Sequence, residues 1–357
     1  MLHAVLRFRR WLVLAAVLLA FAGAALAGGP AAQAAEQRLV VYTYDSFAAG
    51  PAQAIKEGFE ALYPDVEVVF LAPGSAGETL ARIIAELHAG GSDADVFIGI
   101  SDTQLPRAID QGVFMKLDRS LLPNLAKVPA HLDFDETGHV VPFDHGYVTI
   151  IYDSRVLSED ELPRTLEDLT DPRFRGRLIA IDPRTSSVGH AFLMWTIAEY
   201  GDPGYLEFWE RLAPNLLTVT GGWSAAYSQY EAGEAPMMVS YSTDTAAGVY
   251  YAGSAHSRIL TPQGQAYQQI EAVGIVSGTG VPELAHRFVD YVLSEEVQSL
   301  IPTTNWMFPV NAETPLPDFF AEYAVVPENP VRLDARLIEE NEQRWLREWA
   351  RLITGLR

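Results

Sequence analysis

Val140-Val141-Pro142-Phe143-Asp144-His145-Gly146-Tyr147-Val148-Thr149-Ile150-Ile151-Tyr152 is largely apolar and rich in β-branched residues, and it is long for one strand. An extended segment of this length is what a chain needs to pass from one lobe of a molecule to another. Glu271-Ala272-Val273-Gly274-Ile275-Val276 reads as the return. Between the two crossings lie expected strands over 178–181 and 237–241 and expected helices over 189–200 and 206–212. Two crossings with one lobe inserted in the other predict an α/β clamp. It has two sheets joined by two extended crossover segments, with a cleft between lobes. One lobe is expected from residues 35–143 with 271–357, the other from 144–270.

Upstream of the first crossing, strand and helix alternate. Leu39-Val40-Val41-Tyr42 opens as a strand, and Ile55, Phe59 and Leu62 then mark one face of a helix over 51–63. A strand over 66–70, a helix over 78–88, a strand over 95–100 and a helix over 103–110 follow. Such alternation predicts a parallel sheet covered on both faces. Side chains at the carboxyl ends of its strands face the crevice where open α/β sheets bind ligands. In the tail, Leu337, Ile338, Trp345, Trp349, Leu352 and Ile353 recur at helical spacing and are expected to be core contacts.

Arg7, Arg9 and Arg10 precede an apolar run from Trp11 to Ala27 and two A-x-A sites, Ala25-Leu26-Ala27 and Ala32-Gln33-Ala34. Residues 1–34 therefore read as a secretory signal peptide, and a periplasmic protein is expected. No other segment is apolar enough to span a bilayer, so no membrane insertion of the mature chain is expected. Removing the signal takes away three arginines and no acid, moving the formal charge from −21 to −24. Such a surface repels nucleic acid and anionic lipid. With no cysteine there is no disulfide, thiol nucleophile or thiolate-bound metal.

Three corners carry aromatic rings in polar or glycine-rich surroundings: Tyr44-Asp45-Ser46, Gly221-Gly222-Trp223-Ser224 and Thr303-Thr304-Asn305-Trp306. A Trp after Gly-Gly or Thr-Thr-Asn is expected on a loop, and rings from separate corners can form a box for a cation. Each ring alone could equally plug a domain edge. Asp182-Pro183-Arg184-Thr185-Ser186-Ser187 sits between a strand and a helix. Its hydroxyls and free N–H groups suit an anion, although ordinary N-capping by Ser186 or Ser187 is the commoner use. Asp144 is expected to face the ligand. His131, His139 and His145 lack zinc-like spacing, so no metal or cofactor is expected.

Val41 to Phe47, Val141-Pro142-Phe143-Asp144 with Gly146-Tyr147, Asp182 to Ser186, Val219-Thr220 with Gly222-Trp223-Ser224, Ser240-Tyr241, and Ile301-Pro302-Thr303 with Asn305-Trp306-Met307 together resemble the periplasmic thiamine-binding proteins of bacterial ABC importers. The resemblance runs in order through nearly the whole mature chain. It implies a two-lobed type II periplasmic binding fold that closes on thiamine or a thiamine phosphate and hands it to a membrane permease. A monomer without enzymatic activity is implied. Tyr44, Trp223 and Trp306 would pack on the thiamine rings. Ser186 and its loop, with Ser187, would meet the hydroxyethyl or phosphate end, and Tyr241, Asp45 and Asp144 would complete the ligand set. The chain departs from the family pattern in three places. It has Ala48-Ala49-Gly50-Pro51 where a Trp is found, Ala247 where a Tyr falls, and Ala76 where a carboxylate stands. Ferric-ion-binding proteins share the pattern but use adjacent tyrosines, and Tyr250-Tyr251 comes later than they require. Thiamine-cleaving enzymes of this shape attack through a cysteine, which is absent.

Overall fold

The computed structural model describes residues 37–355, so the expected signal peptide lies outside the described residues. The chain opens with β1 (Gln37–Tyr42), α1 (Asp45–Ala49), α2 (Ala52–Leu62), β2 (Val66–Leu71), α3 (Ala76–His88), β3 (Val96–Ser101) and α4 (Leu105–Asp110). The long strand β4 (Val140–Asp153) leads to β5 (Leu178–Ile181), α5 (Ser187–Tyr200), α6 (Gly204–Leu212), β6 (Leu216–Thr220), α7 (Trp223–Glu231), β7 (Met237–Tyr241), α8 (Asp244–Ala252) and β8 (Ser257–Leu260). Strand β9 (Gln265–Ile275) returns, followed by α9 (Pro282–Val292), α10 (Glu295–Gln298), α11 (Ile301–Thr304), β10 (Phe308–Pro309), α12 (Asp318–Tyr323), β11 (Asn329–Val331) and α13 (Ala335–Gly355).

Both crossing segments are strands, and they pair with each other. β4 lies against β9 from Val140 to Val148, then against β7 and β8 from Val148 to Asp153. The hydrogen-bonded path is therefore continuous through both halves, in the order β2-β1-β3-β9-β4-β7-β5-β6. β1, β2 and β3 are parallel, as are β5, β6 and β7. The central β4–β9 pair is antiparallel, which corrects the expectation of a purely parallel sheet. The reason is directional: one segment carries the chain out of the first half and the other carries it back.

Each half has its own core. Leu39, Val41, Phe47, Ile55 and Phe59 pack with Phe288, Val292 and Ile301 on one face of the first half. Tyr42, Leu80, Phe97 and Phe114 pack on the other. The second half centres on α5, whose residues Ser187 to Ile197 are all buried, as expected of a helix that is apolar all round. The sequence leaves the place of the C-terminal helix open; α13 buries Trp345 and Trp349 in the core of the second half, while Leu284, Phe288, Val292 and Val310 pack in that of the first. The Trp349 ring meets Trp209 of α6 edge-on at 5.5 Å. Burying each indole contributes about 2–3 kcal/mol.

Candidate functional site

A cavity of about 510 Å³ lies where β4 and β9 pass between the halves. Of the eight residues singled out in the sequence, seven line it: Tyr44, Asp45, Ser186, Ser187, Trp223, Tyr241 and Trp306. Tyr44 lies two residues past the end of β1, at the N-cap of α1, and its ring lies over Gly99, where a Cβ would come within 2.3 Å of a ring carbon. Its hydroxyl donates to Glu271 Oε2 at 2.7 Å, and Asn305 Nδ2 donates to the Tyr44 oxygen at 3.0 Å. Tyr241, at the end of β7, accepts from Gln269 Nε2 at 2.9 Å. Burial and the neighbouring carboxylates push both phenols well above their usual range.

Trp223 is not on a loop. It is the first residue of α7, capped by Gly222. Its Nε1 donates to Ser240 Oγ at 2.8 Å, and Tyr227 stacks on it at 4.8 Å with the planes 21° apart. Trp306 sits in the left-handed region at φ 58°. Its carbonyl accepts from Thr243 Oγ1 at 2.6 Å. Tyr250 and Tyr251 meet its ring at 5.4 and 5.2 Å.

Asp144 is the exception. It is fully buried and sits one layer behind the cavity wall, because the amide of Asn305 covers it and donates to Oδ2 at 2.7 Å. The carboxylate that does reach the cavity from this place is Glu271, directly opposite on β9. It was missed, although it is the one acid in an otherwise apolar strand segment. Asp244 and Tyr251 were missed too. With Ala247 they are spaced three and four residues apart on one face of α8, a helical signal that was legible. Of the adjacent pair Tyr250-Tyr251 only Tyr251 lines the cavity, since Tyr250 stacks on Phe319 at 5.4 Å. Among the described residues no group of three or more His, Asp or Glu is arranged to hold a metal ion.

The lining is chemically one-sided. Six aromatic rings (Tyr44, Trp223, Tyr227, Tyr241, Tyr251, Trp306) and three carboxylates (Asp45, Asp244, Glu271) face it, and none of the lining residues is Lys, Arg or His. Burial pushes Asp244 up to about 7, against the hydrogen bond it accepts from Ser240. The opposite polarity comes from backbone. Ser186 occupies the N-cap of α5 but its side chain makes no capping bond, so the capping role weighed from sequence is not taken up. α7 starts beside it on Gly222, which has no side chain to cap with. Ser187 and Val188 of the first turn of α5, and Trp223 and Ser224 of that of α7, line the cavity, and a helix start without a side-chain cap favours an anion. Across that rim, Ser75 Oγ and Gly77 N both donate to Thr185 O, at 2.5 and 3.0 Å, and hold the two sides together.

Residues 92–326 match the family described as bacterial extracellular solute-binding protein. The chain belongs to that family. It is 34% identical to a thiamine-binding periplasmic protein of Brucella abortus over 93% of this chain and 97% of that one. It is 33% identical to a thiamine-binding periplasmic protein of Escherichia coli over 88% and 93%. A solved periplasmic thiamin binding protein superposes with a TM-score of 0.81 at 32% identity, covering 91% of this chain and 99% of that one. The fold is thus the two-lobed type II form of the periplasmic binding proteins. These relatives are binding proteins rather than enzymes. They are periplasmic, and so is this member of the family. No helix among the described residues is long and apolar enough to cross a membrane.

Proposed function

We propose that this solute-binding protein captures thiamine and its phosphates in the periplasm and delivers them to an ABC permease, as a monomer and without turnover. The observation that carries the reading is a cavity walled by six rings and three carboxylates with no basic side chain. That is the chemistry for a positively charged aromatic heterocycle. A desolvated cation on one ring gains about 2 kcal/mol, and a micromolar complex needs about 8 kcal/mol in all. Three rings with their buried area reach that scale. Likeness to proteins named for thiamine binding supports the same ligand.

In this reading Tyr44, Trp223 and Trp306 stack on the thiamine rings, with Tyr241 and Asp45 completing the wall. Ser186, Ser187 and the start of α5 receive the hydroxyethyl or phosphate end. Asp144 acts from behind, through Asn305. The lobes are 37–143 with the 271–331 return, and 144–270 joined by α13, hinged where β4 and β9 pass between them. Ligand contacts made from both lobes stabilise the closed state over the open one.

Calorimetry with thiamine, thiamine monophosphate, thiamine diphosphate and ferric ion tests this. Micromolar or tighter binding of thiamine with no heat from iron is the expected result. Iron binding without thiamine binding would overturn it.

A further inference from the structure

The floor of the cleft holds two acids without a counter-charge. Asp144 and Glu271 stand opposite each other across the antiparallel β4–β9 ladder, 0% and 2% exposed. Glu271 accepts from the Tyr44 hydroxyl at 2.7 Å and from Gln269 Nε2 at 3.1 Å. Asp144 accepts from Asn305 on Oδ2, and its Oδ1 is buried without a partner. The other titratable groups around them supply no positive charge. Tyr241 of β7 is a neutral phenol held by Gln269. Asp102, after β3, is a third acid, and it takes Arg332 for itself at 3.2 Å. His145, next along β4, is kept neutral by burial, with its pKa pushed down to about 4.

Two adjacent carboxylates out of water and without a cation cannot both stay ionised. Burial pushes Asp144 up to about 7, and burial followed by repulsion from Asp144 pushes Glu271 well above the usual carboxylate range. Only Glu271 of the two reaches the cavity.

We propose that Asp144 and Glu271 share a proton in the empty protein, and that a cationic ligand entering over Glu271 expels it. The charge balance is simple. The carboxyl O–H breaks, buffer base takes the proton, and the ligand's positive charge takes its place, so the buried site keeps its net charge. Glu271 is then the residue that reads charge. An uncharged molecule of the same shape has nothing to exchange for the proton.

The proposal rests on thiamine as the ligand for one arm of its test only. In the full mature chain without ligand, carboxyl ¹³C shifts are expected to show a proton retained on the pair at about pH 7. Thiamine titrated at that pH in buffers of different ionisation enthalpy is expected to release about one proton per ligand. The thiophene analogue, with carbon in place of the thiazolium nitrogen, is expected to bind without release. In an Asp244→Asn background, which removes the other cavity carboxyl that titrates at about 7, Glu271→Gln is expected to abolish the release and weaken thiamine about tenfold, more than it weakens the analogue. Should that variant fail to fold, Asp144→Asn gives the same loss of release. Fully ionised carboxyls in the empty protein, or thiamine binding with no proton released by wild type, would overturn the proposal. If thiamine does not bind at all, the functional reading fails instead, and the ¹³C titration still decides where the proton is.

Discussion

The first-lobe side of the cleft and the second-lobe side solve the same task with opposite polarity. On the first side, Tyr44, Asn305 and Glu271, with Asp144 of the crossing strand behind them, form a hydrogen-bonded floor that is negative or proton-bearing. On the second, α5 and α7 present first turns without side-chain caps beside Ser186, Ser187 and Trp223. The floor favours a cation and the opposite rim favours an anion. A ligand with a cationic ring at one end and a hydroxyl or phosphate at the other lies along that gradient. The comparison teaches that charge selection here needs no basic side chain, because helix N-termini supply the positive end.

The stacking rings are where the comparison breaks most readily. Trp223→Ala, and separately Trp306→Ala, are expected to weaken thiamine by at least tenfold and about thirtyfold if one desolvated stack is lost, measured by calorimetry. The fold should be intact, since neither ring belongs to the fully buried core. Unchanged affinity in both would remove the aromatic wall from the argument.

Next in size is pH. Asp244 lines the cavity with its pKa at about 7. Below that pH it is neutral and attracts a cation less, so Asp244 should lower thiamine affinity by up to about tenfold from pH 8 to pH 6, in addition to the fall caused by the proton on the Asp144–Glu271 pair. Asp244→Asn should flatten part of that profile. The sign is opposite for the empty protein. The folded state holds this proton more tightly than the unfolded chain does, so the contribution of Asp244 to stability falls as pH rises from about 4 through about 7. An affinity that rises on acidification would contradict a cation held by the carboxylates of the cavity.

The smallest effect sharpens the other side. Ser186→Ala removes one hydroxyl from the α5 start but leaves its N–H groups. It should weaken thiamine diphosphate about threefold and thiamine hardly at all, the loss of one modest hydrogen bond. Equal losses for both ligands would move the phosphate away from α5.

Much of this was legible in local pattern. The strand expected over 140–152 is Val140–Asp153, and the strands over 178–181 and 237–241 have the expected limits. Side-chain alternation, helical spacing and breakers are properties of neighbouring residues, and they do not depend on where a segment ends up. The aromatic corners were legible for a related reason, as rings set among Gly, Thr and Asn outside any periodic face. The antiparallel centre was not, since strand direction is decided by where the chain must go next.

The exchange of Asp144 for Glu271 shows the limit most clearly. Each is an acid set among mostly apolar neighbours in its strand, and the ladder shifts register between Pro142 and Asp144. Which carboxylate faces the cavity depends on that shift and on Asn305, a residue far along the chain that covers one of them. The tail behaves likewise. Its spacing requires a helix with a buried stripe, but only packing could send Trp345 and Trp349 to the second core. The sequence by itself therefore determined the elements, the crossing strands and the chemical character of the cleft, because those follow from residue type and short-range order. The tertiary structure alone decided strand sense, the partner of α13 and the acid at the floor, because each rests on contacts between residues distant in the chain.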